Sequence, residues 1–174
     1  MQQFPANWPF TQKFVHPQSA ITYAIQTIAE AGDNIVSSSR LYGGTYNLFA
    51  HTLPQFGIET RFADYNDPAS FAKLIDARTK AVFIESMGNP NGNITDIAAV
   101  AAVAHQHGIP VIVDNTIPSP YLHRPFEHGA DIVIHALTKY LGGHGNSLGG
   151  IIVDSGKFPW AEHKARFKRL NEPD

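Results

Sequence analysis

Three ionisable residues follow closely on apolar runs of this sequence. Glu85 comes directly after KAVFI and Asp114 directly after IPVIV, while Lys139 lies just beyond DIVIHA. Taken singly, each has an ordinary explanation: loop-amide acceptor for Glu85, helix cap or surface acid for Asp114, and solvated cation for Lys139. Taken together, they would bring two carboxylates and an amine to one site, provided that the three runs are neighbouring strands of one sheet.

Asp114 and Lys139, which are 25 residues apart, indicate a particular chemistry when they are read as a pair. A lysine amine can hold an aldehyde as a Schiff base. An acid against a pyridine nitrogen keeps that ring protonated, so that the ring can act as an electron sink. Both are requirements of pyridoxal phosphate, which also needs donors around its phosphate. The pair therefore predicts a pyridoxal phosphate site.

Other residues give weaker signals. The glycines of GGHG, residues 142–145, can do no more than permit a turn. None of the nine histidines has the spacing of HExxH or a similar ligand motif, so no metal is expected. His105 and His107 fall at a helix end and are predicted to face solvent, whereas His135 is predicted to pack in the core.

Apolar runs alternate with helical patterns along most of the chain, which predicts an α/β fold with a mostly parallel sheet and helices on both faces. In such sheets ligands bind beyond the carboxyl ends of the strands. Thr95 is a plausible N-cap and Gly108 a stop for the fourth helix. Strands are predicted at 34–39, 58–64, 80–86, 109–115, 131–136 and 149–154, and helices at 20–32, 45–57, 67–77, 95–108 and 157–169.

Composition limits the classes of protein that this chain can represent. Its 174 residues, 43% hydrophobic, suffice for one core. A net charge of −2 gives no reason to expect nucleic acid or an anionic membrane as a partner. No apolar run has the ~18 residues of a membrane helix. The chain has no cysteine and its first residues do not resemble a secretory signal, so a cytoplasmic location is expected.

Several stretches resemble the pyridoxal-phosphate enzymes of cysteine and methionine metabolism, whose fold is that of the aspartate-aminotransferase-like (fold type I) transferases. Within that family, TYNLF, ESMGNP and DSGKFPWAEH resemble the O-acetylhomoserine sulfhydrylase branch, and cystathionine lyases and synthases usually carry an arginine where Asn47 stands. The stretches are LYGGTYNLF (41–49), ESMGNPNG (85–92), the run 113–145 and GGIIVDSGKFPW (149–160).

The resemblance implies a role for each residue around the cofactor ring. Lys139 would form the Schiff base and shuttle protons at the substrate carbons, and Asp114 would pair with the pyridine nitrogen. Tyr42 would stack on the ring and help as an acid or base, although a tyrosine beside a Gly-Gly turn could also be a packed side chain. Asn89 would lie near the ring hydroxyl, although it could equally be a turn residue before Pro90.

The remaining implied roles concern the phosphate and the support of the site. Thr138 would contact the phosphate, as would the start of the helix near Gln18, where backbone amides point at the anion. Glu85 would orient the set from behind. The implied reaction is γ-replacement, in which acetate leaves O-acetylhomoserine and sulfide adds to give homocysteine. The alternatives are a cystathionine γ-lyase or γ-synthase of the same family, or a truncated chain without catalysis.

Three departures from the family pattern set further expectations. Relatives have Ser-Gly before the first helix, but this chain has His16-Pro17, and proline has no N–H to offer. Ala136 replaces a phosphate-binding serine, a loss of about 1–3 kcal/mol. The N-terminal arm and the C-terminal domain of relatives are not recognised. We therefore expect residues 1–18 to be irregular and unmatched, and 19–174 to be an incomplete cofactor domain, inactive alone, whose full-length relatives are homotetramers.

Overall fold

The computed structural model describes residues 16–171 and has one six-stranded sheet, with the strand order β2-β1-β3-β4-β5-β6. The first five strands run parallel, and β6 pairs with β5 in the antiparallel direction. The predicted α/β fold with a mostly parallel sheet is therefore confirmed. The strands are β1 (Asn34–Ser38), β2 (Glu59–Ala63), β3 (Thr79–Glu85), β4 (Val111–Asp114), β5 (Ile132–Ala136) and β6 (Gly150–Asp154).

Apolar side chains fill both faces of the sheet, which explains why the strand sequences are continuously apolar. Phe49, Phe83 and Ile132 belong to the cluster on one face, and Phe71 and Val113 belong to the cluster on the other. The helices are α1 (Pro17–Ile28), α2 (Gly43–Asn47), α3 (Pro68–Ala72), α4 (Ile97–Gln106) and α5 (Ser119–Leu122). Within residues 16–171, no helix combines the length and hydrophobicity that crossing a bilayer requires.

Three helices differ from their predicted limits. The helix predicted from residue 20 begins at Pro17, because the fixed φ of proline suits the first position of a helix. Residues 17 and 18, which were expected to be irregular, are therefore helical. Residues 1–15 of that expected irregular segment lie outside the described part of the chain. The helix predicted over 45–57 begins at Gly43 as an α-helix and continues as a π-helical turn and then a 3-10 turn. It is capped by Gly57, whose φ is +77°. The helix predicted over 67–77 ends at Ala72.

Two predictions about the other helices were wrong. Thr95 does not cap α4, because its hydroxyl donates to the carbonyl oxygen of Glu85; the Asp96 side chain is the cap and accepts from the N–H of Ala99. The segment 157–169 forms turns, followed by a short 3-10 helix at Lys168–Leu170, rather than one long helix. Its aromatic rings pack on one another, and Arg166 donates to three carbonyls at the start of β3, at Asp76, Ala77 and Thr79.

Candidate active site

A cavity of about 260 Å³ opens at the carboxyl ends of β3, β4 and β5. Glu85 and Asp114 are register partners at the last paired position of β3 and β4. The turn that carries Lys139 follows β5 and forms another part of the wall. The structure brings all seven predicted site residues together in this wall: Gln18, Tyr42, Glu85, Asn89, Asp114, Thr138 and Lys139.

Lys139 lies in a tight turn held by backbone hydrogen bonds. Its N–H donates to Ala136 O at 3.2 Å, and its carbonyl accepts from the N–H of Gly143 at 2.8 Å. A Cβ at Gly142 would approach Leu137 O to 2.5 Å, so glycine is needed for this turn to close. Among residues 16–171, no carboxylate lies within ion-pair distance of Lys139 Nζ, although the side chain is exposed at the cavity. The amine is therefore available to a ligand.

Asp114 presents its two carboxylate oxygens differently. Oδ1 accepts the N–H of Thr116 at 2.9 Å and also the Thr116 hydroxyl, whereas Oδ2 has no hydrogen-bond partner among residues 16–171. Burial raises the pKa of the Asp114 carboxyl, because the charged form loses its hydration there. A cation that entered the cavity beside Oδ2 would favour the carboxylate.

Glu85 is 5% exposed and holds two segments of the wall. Its Oε1 accepts the N–H of Tyr42 at 2.7 Å, and its Oε2 accepts the N–H of Asn89 at 3.3 Å. Burial raises the pKa of Glu85 to about 8, the two N–H donors oppose this rise, and the neighbouring Asp114 adds to it. The carboxyl group thus sets the positions of Tyr42 and Asn89 from behind the cavity surface.

Tyr42, Thr138 and Gln18 are the other predicted residues whose side chains line the cavity. The Tyr42 ring is 49% exposed, which leaves its face open to a planar ligand. Thr138 Oγ1 accepts the N–H of Gly149 at 3.2 Å. Gln18 Nε2 is buried and has no acceptor within the described part of the chain. At the start of α1, His16 Nδ1 accepts the N–H of Gln18 at 3.3 Å.

Several cavity residues had no role predicted from the sequence. Thr116 contacts Asp114 directly, but it stands in an ordinary-looking loop after β4. Met87 and Ile117, within the stretches 85–92 and 113–145, and Leu148, outside them, supply apolar wall for which no role was predicted. His135 is buried as predicted, with Nδ1 3.1 Å from the carbonyl oxygen of Asn115. Among the described residues, no group of three or more His, Asp or Glu side chains is arranged to hold a metal ion.

The groups in this cavity fit one cofactor class. Lys139, and Asp114 with one oxygen free of hydrogen bonds among residues 16–171, line the same space, and Thr138 and Gln18 lie in the same wall. This is the donor set that pyridoxal phosphate requires for its aldehyde, its ring nitrogen and its phosphate. Together with a parallel sheet whose strand ends carry these groups, the arrangement is typical of pyridoxal-phosphate-dependent enzymes of fold type I.

The profile of the family described as Cys/Met metabolism PLP-dependent enzyme matches residues 13–171, and the chain belongs to this family. The match begins at residue 13 and so includes residues 13–18 of the segment that was expected to be unmatched. His16 and Pro17 therefore lie inside the family region.

Curated relatives carry names from one branch of this family. The homocysteine synthase of Schizosaccharomyces pombe is 56% identical over 156 residues, which are 89% of this chain and 36% of the relative. The O-acetyl-L-homoserine sulfhydrylase of Leptospira meyeri is 54% identical over 157 residues, which are 90% of this chain and 35% of the relative. The chain thus spans about a third of the length of these relatives.

Solved structures resemble this fold closely. A Campylobacter jejuni protein described as an O-acetylhomoserine (thiol)-lyase superposes with a TM-score of 0.86 at 40% identity, covering 89% of this chain and 38% of its own; it contains N′-pyridoxyl-lysine-5′-monophosphate. A cystathionine gamma-lyase from Lactobacillus plantarum, solved with L-serine, gives a TM-score of 0.78 at 37% identity, covering 91% of this chain and 41% of its own.

Proposed function

We propose that this chain forms the cofactor site of an enzyme that makes homocysteine from O-acetylhomoserine and sulfide, releasing acetate. One observation carries the proposal: an unpaired Lys139 amine and the free Oδ2 of Asp114 face the same cavity. The choice among reactions is supported by relatives that are 54–56% identical and are named for homocysteine synthesis or for O-acetyl-L-homoserine.

Bound pyridoxal phosphate would supply an aldehyde for amines and a protonated ring that withdraws electrons from the substrate carbons. In our proposal Lys139 holds the aldehyde carbon in the resting enzyme. Asp114 Oδ2 accepts the N–H of the ring nitrogen and keeps that nitrogen protonated. Thr138 and Gln18 would donate to the phosphate, and the buried Nε2 of Gln18 would then have the acceptor that residues 16–171 do not provide.

Lys139 would also act as a base and an acid on an amino-acid substrate. Its Nζ would accept the proton from the substrate α-carbon and would return protons to other carbons of the substrate. An amine on a flexible stem that is not tied into an ion pair suits this shuttle. Such positioning of a base against a bound carbon can supply several kcal/mol of the barrier.

Tyr42, Asn89 and Glu85 act together in this proposal. Tyr42 stacks on the cofactor ring and helps as an acid or base, and Asn89 lies against the ring hydroxyl. Glu85 keeps both in place, because each of its oxygens accepts a backbone N–H from one of the two segments. Its burial excludes water from that side of the cavity.

A γ-lyase acting on cystathionine is the second candidate, favoured by the similarity to the Lactobacillus plantarum enzyme. The experiment is a chimera, in which residues 16–171 replace the matching segment of the Leptospira meyeri sulfhydrylase. We expect homocysteine from O-acetylhomoserine and sulfide, and none with the matched Lys139→Ala chimera. A folded chimera that cleaves cystathionine instead supports the lyase, and one that does neither while retaining cofactor contradicts both candidates.

We also propose that the enzyme is a cytoplasmic homo-oligomer, a homotetramer like that expected for its relatives, with a second copy covering the mouth of the cavity. Leu148 in the cavity wall is 75% exposed, and in α5 Tyr121 is 90% and Leu122 75% exposed. Exposed apolar patches of this kind mark interfaces. Light scattering on the purified chain tests this, and the matched Leu122→Glu and Leu148→Glu variants should lower the measured mass. A mass of 19.1 kDa for the unsubstituted chain contradicts it.

A further inference from the structure

The sheet separates between β4 and β5 just where the cavity begins. The last backbone hydrogen bond of the ladder joins the N–H of Asn115 to the carbonyl oxygen of Ile134 at 2.9 Å. One step further, the N–H of Ala136 does not reach a carbonyl of the β4 segment. It donates instead to the side-chain Oγ1 of Thr116 at 2.8 Å. A hydroxyl therefore continues the ladder where the backbone has turned away.

The turn that causes this separation has a distinct backbone geometry. The carbonyl oxygen of Asn115 is engaged by the N–H of Ser119 and by the imidazole of His135, each at 3.1 Å. Ser119 has a φ of +59°, which side chains other than glycine adopt infrequently. The Asn115 carbonyl oxygen is thus engaged within the turn and does not bind β5 through the N–H of Ala136. The Thr116 hydroxyl makes that connection between β4 and β5 at the cavity instead.

The two partners of the Thr116 hydroxyl fix the direction of both hydrogen bonds. The N–H of Ala136 can only donate, so Thr116 Oγ1 must accept from it. The hydroxyl has one proton, and that proton goes to Asp114 Oδ1. Since Oδ1 also accepts the N–H of Thr116, it is fully engaged, and the carboxylate can turn only Oδ2 toward a ligand.

We propose that Thr116 is the positioning residue that aims Asp114 Oδ2 at the ring nitrogen of the cofactor. The same hydroxyl also accepts the N–H of Ala136, which lies three residues before Lys139. It therefore also fixes the position of the Asp114 carboxylate relative to the Lys139 amine. This inference rests on the proposed function. Thr116 touches neither the substrate nor the reacting carbons in this assignment, and it acts through Asp114.

The test compares two substitutions and two cofactors on the full chain. Thr116→Val keeps the branched shape and removes the hydroxyl, whereas Thr116→Ser keeps the hydroxyl. The probes are pyridoxal phosphate and 1-deazapyridoxal phosphate, in which a carbon replaces the ring nitrogen. Dissociation constants are measured from the absorbance of the lysine-bound cofactor, and the urea midpoint of each variant reports its folding.

We expect Thr116→Val to weaken pyridoxal phosphate binding about tenfold, equivalent to about 1.4 kcal/mol. Binding of the deaza compound should change less than about threefold, because it has no ring nitrogen for Asp114 to meet. Thr116→Ser should bind both probes as the unsubstituted chain does. Equal weakening of both probes by Thr116→Val, or no weakening of either, would overturn the inference. If the unsubstituted chain binds neither probe at Lys139, the proposed site itself fails and the inference falls with it.

Discussion

Charged side chains at the two ends of the sheet differ in whether they form ion pairs. At the amino ends of the strands, the Asp76 carboxylate accepts from the Asn34 amide at 2.9 Å and pairs with Arg61 at 2.8 Å, and Lys80 lies 3.6 Å from Asp33. At the carboxyl ends, neither Glu85 nor Asp114 has a cation within ion-pair distance among residues 16–171.

This difference separates charges that are paired within the fold from charges that, in our proposal, a ligand pairs. A buried charge is costly unless it is paired or hydrogen-bonded. At the amino end the chain supplies the partners itself, as in the contact of 2.8 Å between His105 Nε2 and Asp131 Oδ2. His105 is exposed as the sequence predicted, but it has this structural partner. At the carboxyl end, Glu85, Asp114 and Lys139 have no ion-pair partner among residues 16–171. A ligand that carries a positive and a negative group could supply partners to Asp114 and Lys139.

The largest effect should appear at Glu85. Its pKa is raised from 4.5 to about 8 by burial, so the folded cofactor-free chain keeps this proton at pH values where the unfolded chain loses it. That contribution to stability is complete below about pH 4.5 and is lost as the pH rises toward 8. We expect the free energy of unfolding to fall between pH 5 and pH 9 by about 4 kcal/mol more in the unsubstituted chain than in Glu85→Gln. Parallel pH profiles in urea titrations would show that Glu85 is ionised in the fold.

Asp76→Ala should give the next largest effect, at the opposite end of the sheet. The substitution removes the acceptor of the buried Asn34 amide and one of the two ion pairs of Arg61, which keeps its contact with Glu59. We expect the free energy of unfolding to fall by about 3 kcal/mol, with the affinity for pyridoxal phosphate unchanged. Glu162→Ala, at an exposed carboxylate, is the matched control and should change stability by less than about 0.5 kcal/mol. A cofactor affinity that falls with Asp76→Ala would break the separation of the two ends.

Asp154 is the exception at the amino end. Its Oδ1 accepts the N–H of Gly156, its Oδ2 is buried with no partner among the described residues, and burial raises its pKa to about 6. The fold therefore loses stability as the pH rises from about 4 to 6. We expect Asp154→Asn to raise the free energy of unfolding by about 2 kcal/mol at pH 8 and to change it little at pH 4. A destabilised variant at pH 8 would mean that the Asp154 carboxylate has a charge partner in solution.

Lys139→Ala should have the smallest effect on stability. The side chain is exposed and has no ion-pair partner in the described part of the chain, so its removal should change the free energy of unfolding by less than about 0.5 kcal/mol without cofactor. With saturating cofactor, however, the unsubstituted chain should gain stability that the variant does not gain, because only the former binds. If thermal shift assays show that the cofactor stabilises the unsubstituted chain and Lys139→Ala equally, cofactor binding does not depend on Lys139.

The strands and the location of the cavity could be predicted from the sequence because their signals are local. Apolar runs such as KAVFI and IPVIV identify parallel strands, and the rule that ligands bind at strand ends then brings Glu85, Asp114 and Lys139 together. The antiparallel direction of β6 was not specified by GGIIVD, since an apolar run does not encode its direction.

The predictions that failed depended on distant contacts. The segment 157–169 contains good helix formers, but Arg166 is drawn to carbonyls some 90 residues away at Asp76 and Ala77. Thr95 and Thr116 look like a helix cap and a loop residue in the sequence. Their hydroxyls act on Glu85 and Asp114, and this is visible only after the strands are placed side by side.

The most direct test of the account is to find which lysine the cofactor meets. The chain is mixed with an equimolar amount of pyridoxal phosphate, reduced with borohydride, and digested for peptide mass spectrometry. The account predicts that the reduced pyridoxyl group is on Lys139, with a lower yield in Asp114→Asn and an unchanged yield in Asp76→Asn. Label spread over exposed lysines such as Lys157 and Lys164, at a yield that Asp114→Asn does not lower, would contradict the claim that this end of the sheet is the active site.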